Sequence, residues 1–478
     1  MTLERQIAAA LKWTTASKAI GQILSWVVTL VVLRLLSPDD YGLIALSSVV
    51  ITNLAAVAEL GLGASLVQAR DISRGELART SGALIIVNCG CMLALMLAAP
   101  LIAQVFELPQ LTDVVRVCSL QFALNALDAV PQSTAYREMR FGWLAKVDLA
   151  GALVTSLSTL ALAIYGAGVW SLAFGGLAGG VVRTLLLLTQ GTRVVPEFSF
   201  LGMSRHLRFG GAVTLGRLLW QLAHQFDVVI IGKLLTQEAL GLYAVASQLA
   251  SMPLQKAMSI VNQVAFPGIS RLQDDLPRLR TRLIEAIRLL FLVSIPALWG
   301  LSAVSSDMVE VLLGERWLPV AFPLQVMGLV APLRMLSAIL STATTGVGRA
   351  DLDLRNTLVL LFVLPVAFLC GVQWGVDGVA TAWLVAVPLA FAINWHRNWL
   401  ALEISLWRIL SSGQAPIIAG IGMYAAVWVC RGVIDGLPAL ARLPIEVGAG
   451  AVVYLGIVSI LDRGMWTDVR RLLVAVRG

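Results

Sequence analysis

The sequence predicts an all-α polytopic membrane protein. About 14 transmembrane helices are expected, in two pseudo-symmetric six-helix bundles around a central cavity, with two more helices at the C-terminal end. Three observations predict this. The chain of 478 residues is 58% hydrophobic and only 13% charged, with a mean hydropathy of +0.84. Soluble domains carry roughly 25% charged residues, and no buried core accounts for that gap. Next, most of the chain consists of apolar runs close to the roughly 20 residues a spanning helix needs. Alternating strands of about ten residues, the mark of a membrane barrel, are not found. Finally, LLSPDDYGLIALSS (Leu35 to Ser48) returns 199 residues later, without a gap, as LLTQEALGLYAVAS (Leu234 to Ser247).

The apolar segments fall at about 13–36, 41–69, 81–104, 112–135, 144–165, 168–190 and 210–233. They continue at 238–268, 284–305, 319–345, 355–373, 375–396, 414–432 and 443–461. The first, fourth and seventh carry the most polar residues. With the N-terminus placed in the cytoplasm, 23 of the 35 Lys and Arg residues lie on the cytoplasmic side and five outside. Cytoplasmic loops collect basic residues, so both termini are expected inside. The net charge of +7 is read in the same way, as topology, and not as nucleic-acid binding. The first apolar run is too long for a cleavable signal peptide and has no small-residue cleavage site behind it. Cys89, Cys91, Cys118, Cys370 and Cys430 sit in apolar segments without metal or disulfide spacing. No dinucleotide fingerprint, phosphate loop or metal cluster stands out. Gly175, Gly176, Gly179 and Gly180 read as close helix packing.

The repeat extends backward from the turn. Lys18 aligns with Arg217, Gln22 with Gln221, and Arg34 with Lys233; forward, Gly42 aligns with Gly241 and Ser48 with Ser247. Six segments separate the two starts, so both copies enter the membrane from one side. The repeat is parallel, about an axis along the membrane normal. It divides the chain into an N-terminal bundle at 1–200, a second bundle at 201–400, and two added helices with a tail at 401–478.

Helical spacing places polar residues on single faces. Lys18, Gln22, Ser25 and Thr29 share one face of the first segment, and Arg217, Gln221 and His224 one face of the seventh, with Asp227 beside them. Ser48, Thr52 and Glu59 line the second segment, and Gln248, Ser251, Gln255 and Ser259 the eighth. A charge at the bilayer centre costs at least about 2.5 kcal/mol on insertion scales. These faces are therefore expected to meet across a water-holding cleft. Lys18 and Arg217 lie near the cytoplasmic ends, where snorkelling to the interface is an alternative. For Lys256, Arg334, Arg183, Asp128 and Asp227, nearer mid-membrane, the alternative is structural ion pairing. For His224 it is a hydrogen bond between helices.

Four stretches carry a family resemblance: LLSPDDYGLIALSSVV, YREMRFGWLAKVDLAG, FDVVIIGKLLTQEALGLYAVA and LLGERWLPVAFPLQVM. They resemble the polysaccharide and oligosaccharide flippases of the multidrug/oligosaccharidyl-lipid/polysaccharide (MOP) superfamily. The likeness is strongest to the Wzx-like branch of colanic acid and lipopolysaccharide exporters, and it covers essentially the whole chain. It implies a fold like that of the superfamily's multidrug (MATE) transporters and alternating access. The implied cargo is a polyprenyl-diphosphate-linked sugar unit for surface polysaccharide, carried across a bacterial inner membrane. A cationic cavity recurs in that family, because a desolvated Arg or Lys pairs strongly with a diphosphate. The substrate cations expected here are Lys18, Arg217, Lys256 and Arg334. The polar or coupling candidates are Gln22, Ser25, Glu59, Asp128, Gln221, His224 and Asp227. No catalytic residue, metal or cofactor is expected, and proton or sodium coupling is left open. The expected partners are the lipid-linked oligosaccharide, membrane lipids, and a polysaccharide polymerase or ligase. The competing reading is a cation-coupled multidrug antiporter using Glu59, Asp128 or Asp227. A membrane glycosyltransferase would want acids such as Asp39 and Asp40, but SPDDYG reads better as a turn.

Overall fold

In a computed structural model of the chain, the described residues are 21, 25–59, 73–190, 195–198, 204–252 and 275–462. Lys18, Gln22 and Lys256 lie outside them. Among the described residues the secondary structure is helical. Nine helical stretches among the described residues are long and apolar enough to cross a membrane; Asp351–Leu402 joins two long helices. The chain is a multi-pass membrane protein. It divides into two compact units, Met1–Gly241 and Leu242–Gly478.

Unit 1 begins with α1 (Ser25–Leu35) and α2 (Pro38–Glu59). Between them Ser37 and Asp40 close a turn: the Ser37 hydroxyl donates to Asp40 Oδ2 at 2.6 Å, and its backbone N–H does so at 2.9 Å. Pro38 opens α2, where its missing N–H costs nothing. Next comes α3 (Arg74–Phe106), whose start is fixed by a capping box of Ser73 and Glu76. At 33 residues it is about 50 Å long, more than a bilayer core requires. Leu93, Leu97, Leu101 and Val105 recur every four residues and are all exposed. Such a stripe suits lipid, which is as apolar as leucine.

The fourth segment is two helices, α4 (Leu111–Ser119) and α5 (Gln121–Arg137), broken at Leu120. It is followed by α6 (Phe141–Ile164) and α7 (Val169–Gln190), which pack closely. Small residues permit this: a Cβ on Gly175 would collide with Thr159, and one on Gly179 with Thr155 and the Gly151 carbonyl. Gly180 faces Leu124, whereas Gly176 has open space. The packing role read from the glycine run therefore belongs to three of the four. Unit 1 closes with α8 (Ser204–Ala223), α9 (Phe226–Leu234) and the start of α10 (237–252).

In unit 2, α11 (Leu276–Ser294) starts on the Asp275 side chain, which accepts from the Arg278 N–H at 3.2 Å. The rod passes through a π-helical turn at Ile295–Trp299 into α12 (Gly300–Ala303). Pro296 lacks an N–H and forces such an adjustment. Then come α13 (Ser305–Leu313), a 3-10 turn at Glu315–Val320, α14 (Ala321–Gly346), α15 (Ala350–Gly371) and α16 (Gly375–Leu402). The pair α17 (Leu406–Ile434) and α18 (Ala439–Leu461) completes it. Leu279, Leu283, Ile287 and Leu290 form one buried stripe of α11 against Met335, Ile339, Ile409 and Val458.

Candidate functional site

The seventh segment is not one helix. Its first part, α8, ends at Ala223, and α9 restarts at Phe226. The intervening His224 and Gln225 make turn hydrogen bonds to Trp220, Gln221 and Leu222. Broken helices at membrane depth are tolerated where other groups meet the freed backbone or where they line a cavity. Here the neighbouring helix α2 supplies polar partners. Gln225 Oε1 accepts from Asn53 Nδ2 at 2.6 Å, and Gln225 Nε2 donates to Thr52 Oγ1 at 3.3 Å. Asn53 Nδ2 also donates to the Val49 carbonyl at 2.8 Å. Three buried polar atoms on these elements have no hydrogen-bond partner among the described residues: Asn53 Oδ1, Gln221 Oε1 and Thr214 Oγ1. Thr214 and Gln221 fall at i and i+7 on one face of α8, and Gln225 lies in the turn that follows it.

The other expected residues of this region take different positions. Arg217 lies in α8. His224 stacks on Trp220 with centroids 4.3 Å apart, and its Nδ1 lies 2.9 Å from the Trp220 carbonyl oxygen. Both of these contacts are local to α8. Asp227 is buried in the first turn of α9, and its Oδ1 accepts from the Val228 N–H at 2.8 Å. That position suits a carboxylate, because helix N-termini carry unpaired N–H donors and positive dipole charge. Ser25 is half-buried on α1, and its carbonyl accepts from Thr29 Oγ1 at 2.8 Å. Glu59 is exposed at the last residue of α2.

Asp128 belongs to a separate cluster. Its buried carboxylate on α5 pairs with Arg183 of α7, and Arg183 Nε also lies 3.3 Å from Asp148 of α6. Three helices are tied by one guanidinium between two acids. In unit 2, Arg334 of α14 lies over the Trp383 ring of α16 at 4.3 Å. The indole N–H of Trp383 donates to the Tyr243 hydroxyl at 2.8 Å. Trp383 and Tyr243 are both buried, so the face that holds Arg334 is rigid. Arg397 Nη1 donates to Asn394 Oδ1 at 2.9 Å, in a network with Asn356 and Asn398. Among the described residues no group of acids, histidines and cysteines is arranged to hold a metal.

The two turns of the repeat meet within unit 1. A Cβ on Gly42 would run into the Gln237 carbonyl, and one on Gly241 into the Pro38 carbonyl. Pro38 and Gln237 are repeat equivalents, as are Gly42 and Gly241. The contact is isologous: each turn's glycine abuts the other turn's first residue. Gln237 Nε2 adds a bond to the Asp39 carbonyl at 2.9 Å. Beside it Lys233 pairs with Glu107 at 2.7 Å.

The polar stripe on a broken helix within a polytopic bundle defines a transporter-like architecture, and solved structures match it. A solved structure of the lipid II flippase MurJ in an inward closed conformation aligns with a TM-score of 0.74 at 15% identity, over 94% of this chain and 99% of that one. An inward-facing MATE-family multidrug transporter of the MOP superfamily aligns at 0.62 with 16% identity, over 80% of this chain and 96% of that one. The fold is that of the MOP transporters. The chain belongs to the polysaccharide biosynthesis protein family, whose sequence pattern matches residues 31–322. The teichuronic acid biosynthesis protein TuaB of Bacillus subtilis is 26% identical over 471 residues, 95% of each chain. The lipopolysaccharide biosynthesis protein WzxC of Escherichia coli is 24% identical over 393 residues, 80% of this chain and 79% of that one.

Gln225, Asn53 and Thr214 were not among the expected site residues. Each had a signal: Asn53 adjoins Thr52 on the polar stripe of α2, and Thr214 and Gln225 extend the stripe of Gln221. The helix break at His224–Gln225 had none, since no Pro or Gly lies within WQLAHQFDVV.

Proposed function

We propose that this chain is a flippase for polyprenyl-diphosphate-linked oligosaccharide, delivering repeat units for surface polysaccharide or lipopolysaccharide synthesis. The observation that carries the reading is the polar face of α8–α9. It belongs to a MOP fold and a polysaccharide biosynthesis family, and it holds buried acceptors that the protein leaves without donors. Sugar hydroxyls are donors of the right kind for Gln221 Oε1, Asn53 Oδ1 and Thr214 Oγ1. Arg217, with Lys18 as its repeat equivalent, offers positive charge to the diphosphate. Lys256 and Arg334 are two further cations of the same kind in the 201–400 half. The lipid tail stays in the bilayer.

The cycle is alternating access in a bacterial inner membrane with both termini cytoplasmic. On that topology the Pro38–Gly42 and Gln237–Gly241 turns face outward, and outward opening separates them. The diphosphate charge also responds to the membrane potential, at about 2.3 kcal/mol per charge per 100 mV. Proton or sodium coupling through Asp227 or Glu59 is a second source of drive. A polymerase or ligase takes the flipped unit. Catalysis by this chain forms no part of the reading, and the halves 1–200 and 201–400 act as the two moving bundles.

The test is a lipid extraction from a deletion strain. Accumulation of polyprenyl-diphosphate-linked glycan with loss of surface polymer is expected. A wild-type copy restores export, and a copy carrying Lys18→Ala with Arg217→Ala does not. Unchanged lipid pools, together with Asp227-dependent efflux of a cationic dye, would establish the antiporter instead.

A further inference from the structure

Unit 2 contains a buried ionic cluster that the transport reading does not use, where α13, α17 and α18 meet. Asp307 of α13 and Glu446 of α18 are both fully buried. Two guanidiniums direct their hydrogen bonds at Asp307. Arg442 Nη2 donates to Asp307 Oδ1 at 2.8 Å, and Arg431 Nη2 donates to the same oxygen at 3.2 Å. Arg442 also reaches toward the surface, with Nη1 3.4 Å from Asp435 Oδ1 and Nη2 3.7 Å from Glu310 Oε2. The Asp435 side chain is 81% exposed.

Glu446 receives none of these bonds. Neither of its carboxyl oxygens has a donor, and Asp307 Oδ2 has none either. The nearest cationic nitrogen, Arg431 Nε, is 3.9 Å from Glu446 Oε1, beyond hydrogen-bond reach. What adjoins the Glu446 carboxyl is the Asp307 carboxyl. Two acceptors set against each other in a dry site repel unless something positive lies between them, and the smallest such thing is a proton.

We propose that Asp307 and Glu446 form a proton-binding site, holding one proton between the two carboxyls and so fastening α18 to α13. The proton sits on Glu446, and its O–H donates to Asp307 Oδ2. This satisfies the orphaned oxygen of Asp307, leaves Asp307 ionised for both arginines, and removes an unpaired buried charge from Glu446. The groups that set its balance are Asp307 and Glu310 on α13, Arg431 and Asp435 at the end of α17, and Arg442 and Glu446 on α18. Arg442 links buried Asp307 to exposed Asp435. Loss of the proton sets the two carboxylates against each other and loosens α18 from α13.

The test uses the purified full-length protein in lipid nanodiscs at neutral pH, with and without sodium. The infrared spectrum is expected to show a protonated-carboxyl C=O band that shifts in D2O and disappears in Glu446→Gln. The neutral carboxamide at position 446 still donates to Asp307, so the melting temperature of that variant is expected to match wild type. Three results would each overturn the site. One is a wild-type spectrum without such a band. Another is a band that appears only when sodium is removed, which would make the occupant a metal ion. The third is a lower melting temperature for Glu446→Gln, which marks an ionised Glu446 held by Arg431. None of these readouts involves glycan, so the flippase reading stands or falls separately.

Discussion

Two polar networks of unit 1 stand in opposite conditions. In the first, Asp128, Arg183 and Asp148 answer one another, and the guanidinium is held between two acids from neighbouring helices. In the second, Thr52, Asn53 and Gln225 are linked, yet Asn53 Oδ1, Gln221 Oε1 and Thr214 Oγ1 find no donor. Both bury polar atoms between helices, where an unmet polar group is expensive. A network that closes on itself holds helices together. A network that leaves acceptors open is suited to something that comes and goes. The contrast separates structural charge from substrate contact more sharply than residue type does.

The largest effect should come from breaking the closed network. Removing one partner of a buried ion pair costs about 3–5 kcal/mol, so Asp128→Ala is expected to lower stability by that amount. Replacing Asp128 and Arg183 together with Leu and Met should cost less than either single change, because no buried charge is then stranded. A double-mutant cycle on unfolding in detergent reads this, and a pair of strictly additive costs would deny the coupling.

Next in size is the contact of the two turns. Gly241→Val forces a side chain into the Pro38 carbonyl, and overpacking of this kind costs about 1–3 kcal/mol. Gly176→Val, with open space around it, is the matched control and should leave the melting temperature near wild type.

Opening the second network further should do the reverse of the first test. Gln225→Leu removes hydrogen bonds worth about 0.5–1.5 kcal/mol each. The protein should fold and insert, while glycan export in the deletion strain falls severely. Normal export by Gln225→Leu and Asn53→Leu would remove this face from the substrate path.

The smallest effect concerns pH. The hydrogen bond and charge of Lys233 hold the exposed Glu107 carboxyl below the usual carboxylate range. A depressed acid contributes stability above its unfolded value, and that contribution fades as pH falls through the lower folded value. Lys233→Ala should therefore flatten the acid limb of a melting-temperature profile slightly, and added salt should mimic it, since exposed pairs are screened.

Much of the fold was legible because a bilayer imposes a strict rule on sequence. Apolar length, the 199-residue repeat and the glycine run announced a helical bundle, and the packing at Gly175, Gly179 and Gly180 follows from the lack of side chains there. The candidate site was legible in part. The stripe of Gln221 follows from helical spacing alone. Asp128 and Arg183 were both recognisable as intramembrane charges, but 55 residues separate them and no spacing rule joins them. Arg334 was recognisable as a cation, though its seat on Trp383 was not.

The sequence by itself determined the class of protein and its helical membrane-spanning fold, because these depend on hydropathy and on the length of apolar runs. Only the tertiary structure decided which charge pairs with which. It also decided where the seventh segment breaks, and that Gly42 and Gly241 meet each other's turns. These depend on distances between helices remote in the chain, and a one-dimensional pattern carries no information about them.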